Sequence, residues 1–124
     1  MHRRAGFTLV ELLIVMAIIA TLMTIAVPRY FSSLESSKET ALRQSLAVMR
    51  EALDHHYGDT GRYPDSLEAL VEKRYLRQMP VDPISERSDQ WVIVPPPEGA
   101  EGRVGDVKSG APGAARDGTA YAQW

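Results

Sequence analysis

The stretch FTLVELLIVMAIIATLMTIAV, from Phe7 to Val27, carries one ionisable side chain, Glu11. No other feature of the 124 residues limits the fold so strongly. A helix of about 20 residues spans the ~30 Å hydrocarbon core of a bilayer, so this run has the length of one crossing. The remainder, under ~100 residues, can build only a small core and calls for a staple, a metal or partner subunits. Cysteine is absent, so that staple is not a disulfide.

Arg3 and Arg4 precede the run, which places that end in the cytoplasm by the positive-inside rule; Arg29 on the far side keeps the bias modest. A secretory signal has an apolar core of ~7–15 residues and a small-residue cleavage site. This run is longer, and Pro28-Arg29-Tyr30 does not match such a site. An uncleaved single-pass anchor is the plain reading, and Glu11 is what it leaves unexplained. An acid at the middle of a membrane helix costs roughly 2.5–3.5 kcal/mol, and such residues are functional by default. Glu11 lies about one turn inside, where the cost is lower, and no Lys or Arg between Phe7 and Val27 can partner it. A cut before Phe7 would create an amine four residues from Glu11.

The leader MHRRAG followed by Phe7-Thr8-Leu9-Val10-Glu11 resembles the processing site of type IV pilins and type II secretion pseudopilins. The resemblance implies that residues 1–6 are a leader removed after Gly6 by a prepilin peptidase. The new amine of Phe7 is then methylated, and Glu11 pairs with that amine on an adjacent subunit during filament assembly. Thr8 and Glu11 belong to the assembly segment, residues 7–27, and Pro28, the third assembly residue, directly follows it. Pro28 removes a helical hydrogen bond and should kink or loosen the helix there. Relatives often have a Gly in mid-segment, whereas Ala17 to Ala20 contains none, which argues against extensive melting.

Beyond Pro28, Leu42, Leu46, Met49, Leu53 and Tyr57 repeat as one stripe of an amphipathic helix, read as its core face. Glu39/Arg43 and Arg50/Asp54 have the spacing of surface ion pairs on other faces. The long helix is expected over residues 7–57, ended by Gly58 and Gly61. His55 and His56 point to different faces, so a solvated or helix-terminal role is preferred to a metal. Residues 58–124 form the small globular region. Asp65 and Glu68 predict a capping box for a short helix ending near Lys73. Pro80, Asp82 and Pro83 mark a loop. Trp91 to Val94 reads as a strand stopped by Pro95, Val104 to Val107 as a weaker one, and Ser109 to Trp124 as loop anchored by Tyr121 and Trp124. The fold class is α+β: a long helix, half membrane-spanning and half amphipathic, on a small domain with a short helix and a small antiparallel sheet.

The segment GRYPDSLEALVEKRYLRQMPVDP resembles the major pseudopilin of type II secretion, with Pro80-Val81-Asp82-Pro83 as its turn; Ile84-Ser85-Glu86-Arg87 departs from the family's aromatic continuation. The resemblance implies a calcium ion in the C-terminal loop, for which Asp106, Ser109 and Asp117 are the candidate ligands. Calcium wants six to eight oxygens, and the loop offers two carboxylates. The implied function is a structural pseudopilus subunit at the bacterial inner membrane, single-pass, with its C-terminal part in the periplasm. Its partners would be other copies, minor pseudopilins, the prepilin peptidase and the inner-membrane assembly platform. A type IV pilus subunit for adhesion, motility or DNA uptake is one alternative. A membrane-anchored binding module that never assembles, or a calcium-dependent one, is another. The net charge of −2 argues against a nucleic-acid surface. Catalytic motifs are absent: there is no phosphate loop, no Cys nucleophile and no H-E-x-x-H, and Glu98 and Glu101 fall in a Pro/Gly-rich loop.

Overall fold

A computed structural model describes residues 6–124, and the chain divides into two compact units, Met1–Glu35 and Ser36–Trp124. The leader's Arg3 and Arg4 lie outside the described residues.

In the first unit, helix α1 (Leu9–Thr60) begins two residues after Phe7. From Leu9 to Glu35 it covers about 40 Å at 1.5 Å per residue, more than a hydrocarbon core requires. Every described residue of this unit is exposed. A helix that is apolar on all sides and buries none of them needs lipid or other helices around it. The helix runs through Pro28 without a break. Proline has no N–H for the carbonyl of Thr24. The Thr24 hydroxyl donates to Thr21 O (2.6 Å) and the Thr21 hydroxyl to Ala17 O (2.8 Å), so side chains reinforce the turns just before it.

In the second unit, Leu42, Leu46, Met49 and Leu53 are buried as their spacing predicts, and Ala52 and His56 join them. Tyr57 departs from the stripe: it is exposed and its ring lies 4.8 Å from that of Tyr63. The buried face of α1 meets Leu67 and Leu70 of α2 (Leu67–Glu72), together with Leu76, Trp91, Val104, Val107 and Tyr121. Strands β1 (Val92–Val94) and β2 (Asp106–Lys108) pair antiparallel with Ile93 opposite Val107. The predicted second strand is therefore shifted toward the C-terminus, and Val104 instead packs in the core. A 3-10 turn, Tyr121–Gln123, ends the chain.

Three local expectations are corrected. Gly58 stays helical, and Gly61 ends α1 with φ +74°, a conformation glycine adopts without strain. The cap of α2 is Ser66, whose hydroxyl accepts from Ala69 N (3.2 Å); Asp65 instead accepts from the Arg62 side chain (3.3 Å). His56 is not solvated: it is 1% exposed, with Nδ1 2.8 Å from Arg62 O and Nε2 3.5 Å from Lys73 Nζ. His55 stays on the surface, 3.6 Å from Glu51.

Candidate assembly site

Gly6 and Phe7 precede the helix, and Phe7 is 88% exposed. The helix opens on a reciprocal cap. Thr8 N donates to Glu11 Oε2 and Glu11 N donates to Thr8 Oγ1, each at 3.1 Å. Two of the four unpaired amides at a helix start are satisfied this way. Thr-x-x-Glu is the sequence signature of that box, so Thr8 and Glu11 also have a local role that the resemblance alone did not supply. Among the described residues the Glu11 carboxylate accepts one neutral amide, that of Thr8. It keeps lone pairs for a stronger, charged donor. The largely apolar surface from Leu9 to Val27 then offers neighbouring helices a face on which this carboxylate is the one ionisable group.

The residues expected around calcium each have a partner within the chain. Asp106 Oδ1 accepts from Arg50 Nε (2.9 Å) and Val107 N (2.7 Å). The Ser109 hydroxyl is fully buried, donates to Asp82 Oδ2 (2.5 Å) and accepts from Ala111 N (3.1 Å). Asp117 Oδ1 accepts from the hydroxyl (2.6 Å) and amide (2.9 Å) of Thr119. The Thr119 hydroxyl, its amide and the nearby Arg43 guanidinium hold the Asp117 carboxyl below the usual carboxylate range. Among the described residues no three acidic, His or Cys side chains gather where an ion could sit. With Asp106 engaged by Arg50, Ser109 by Asp82 and Asp117 by Thr119, the three candidates offer few free oxygens for the six to eight that calcium takes.

Arg50 and Glu39 are the residues that helical spacing alone misassigned. Neither pairs with its i+4 neighbour. Arg50 reaches Asp106, Val107 O and Trp124 O, and Glu39 Oε1 accepts from Arg116 N (2.8 Å). Asp82, read only as a turn marker, is 2% exposed and ties its own loop together by accepting from Ile84 N (2.8 Å) and Ser85 N (3.3 Å).

Residues 1–27 match the prokaryotic N-terminal methylation motif. Type II secretion system core protein G of Pseudomonas aeruginosa is 34% identical over 98 residues, 66% of this chain and 69% of that protein. The protein of the same name from Klebsiella pneumoniae is 29% identical over 140 aligned positions, 100% of this chain and 96% of its own length. Competence protein ComGC of Halalkalibacterium halodurans is 31% identical over 75 residues, 60% of this chain and 74% of that protein. No solved structure matches.

Proposed function

The chain belongs to the family of type II secretion core protein G, the major pseudopilins, and on that footing we propose that it is a structural subunit of a pseudopilus. That filament is built from the inner membrane and drives protein secretion. The observation that carries the reading is the helix from Leu9 to Val27, exposed throughout and apolar on all sides, with one carboxylate near its start. As a monomer in lipid such a helix is stable. Stacked on copies of itself it gains packing, and each Glu11 gains a charged partner if the preceding cut has freed the Phe7 amine. A wrong axial shift leaves Glu11 facing hydrocarbon, so the carboxylate selects the register. Head-to-tail contacts of this kind do not close, and their product is a filament.

In this reading the prepilin peptidase, minor pseudopilins and the assembly platform are the partners, the globular region lies in the periplasm, and the subunit performs no catalysis. Mass spectrometry of the mature chain should find an N-methylated Phe7; an intact Met1 would overturn the proposal. Glu11→Val should be cleaved and inserted normally yet form no filaments. Normal filaments from that variant would remove the docking role. The likeness to a competence protein favours a second reading, a pilus subunit for DNA uptake. A strain lacking the protein that still secretes but no longer transforms would establish that reading instead.

A further inference from the structure

We propose that the C-terminal loop is closed by the guanidinium of Arg50, in the role a bound cation would otherwise play, and that this subunit therefore folds independently of calcium. Arg50 sits on the helical part of the second unit. Its Nε donates to Asp106 Oδ1 at 2.9 Å, and its Nη2 donates to Val107 O at 3.0 Å and to the Trp124 main-chain oxygen. One carboxylate and two main-chain oxygens are the ligand types that a hard cation collects. Here they surround a positive group whose donors are fixed in a planar fork.

The partners lie 56 to 74 residues from Arg50 in sequence, so one side chain fastens both ends of the segment 106–124 to α1. The same helix face supplies two further clamps. Glu39 and Arg43 precede Arg50 by eleven and seven residues, which places all three on one side of the helix. Glu39 accepts from Arg116 N (2.8 Å). Arg43 lies 4.1 Å above the Trp124 ring and 3.9 Å from Asp117. A dication placed on Asp106 would meet the Arg50 guanidinium beside it and be repelled.

The side chains of Arg50 and Asp106 are 39% and 43% exposed, so the ion pair alone is screened and weak. The closure comes from three acceptors on one rigid group. This inference rests on the second unit alone and is independent of the filament reading. Its test reads unfolding, not assembly.

The full chain in detergent micelles is melted by tryptophan fluorescence in millimolar calcium chloride and in EGTA. The unmodified protein should give one Tm in both. Arg50→Gln should melt roughly 4–8 °C lower in both, the shift expected for a domain of this size on losing a group of this kind. Arg50→Lys, which keeps the charge without the fork, should recover only part of the loss. Asp106→Asn, a milder change should Arg50→Gln not fold, should lower the Tm equally with calcium and with chelator. A calcium-dependent Tm in the unmodified chain would overturn the proposal. So would an Asp106→Asn loss seen only in calcium, or an Arg50→Gln protein that melts with the parent.

Discussion

Replacing Ser109 by alanine takes a single oxygen out of the interior, and the surroundings of that oxygen set the cost. Ser109 is 0% exposed and Asp82 2%. The hydroxyl both donates to Asp82 and accepts from Ala111 N. Alanine is nearly the same size, so little cavity forms and the packing contribution is small. What remains is a buried carboxyl oxygen and a buried amide that each lose a partner, a penalty of about 1–3 kcal/mol; ~2 kcal/mol is the central expectation. For a domain of 60–100 residues each kcal/mol moves Tm by roughly 4–8 °C, so Ser109→Ala should melt roughly 8–16 °C below the parent. Trp91 is a built-in reporter: it is 8% exposed and its Nε1 donates to Pro80 O at 2.9 Å, two residues before Asp82. The control is Ser88→Ala, an exposed serine, which should stay within ~0.5 kcal/mol of the parent. If Ser109→Ala and Ser88→Ala melt together, the hydroxyl does not join the 80–87 loop to the core, and the assignment of Ser109 as a structural bridge is wrong.

Gly110 lies against the backbone of Gln90, just before β1, so closely that a Cβ there would stand 2.0 Å from Gln90 O. Gly110→Ala must push the backbone apart and should cost about 1–3 kcal/mol in chemical unfolding with little change in m-value, the pattern of strain rather than lost cooperativity. Asp117 supplies the pH dependence. Its folded pKa is depressed, first by the Thr119 hydroxyl. Its contribution is therefore complete above the unfolded carboxylate pKa, near ~3.9, and is lost as pH falls through the lower folded value. Asp117→Asn should flatten that acid limb while leaving the neutral-pH slope alone; an unchanged acid limb would show that Thr119 does not stabilise the charged form. These join the N-terminal mass measurement, the assembly defect of Glu11→Val and the calcium-independent melting set out above.

The elements that were legible in advance share a physical property: their signals are local. The stripe Leu42, Leu46, Met49, Leu53 is a periodicity of one helix. Pro95 stops a strand because it lacks a donor. The Thr8–Glu11 cap is just as local, yet only the structure brought it out, because the sequence reading gave these residues an assembly role alone. Tyr57 left the stripe because the tyrosine of the following turn, Tyr63, offered it a ring to pack against while His56 filled the core. Ser66 displaced Asp65 as the cap by one residue, a choice between two equally good side chains that only the chain's path into α2 makes.

The sequence by itself determined that a helix of membrane length opens this chain, that one acid stands in it, and that the remainder folds around the amphipathic continuation of that helix. Apolar periodicity and charge placement act over a few residues and need no knowledge of the rest. The assignment of polar partners belonged to the tertiary structure. Arg50 exchanged its neighbour Asp54 for Asp106 and two main-chain oxygens, Glu39 reached Arg116, and Ser109 turned inward to Asp82. A surface pair at i, i+4 is worth a few tenths of a kcal/mol, while a part-buried acceptor left without a donor costs several times as much. Once the loops folded onto the helix, the larger penalty decided which charges met.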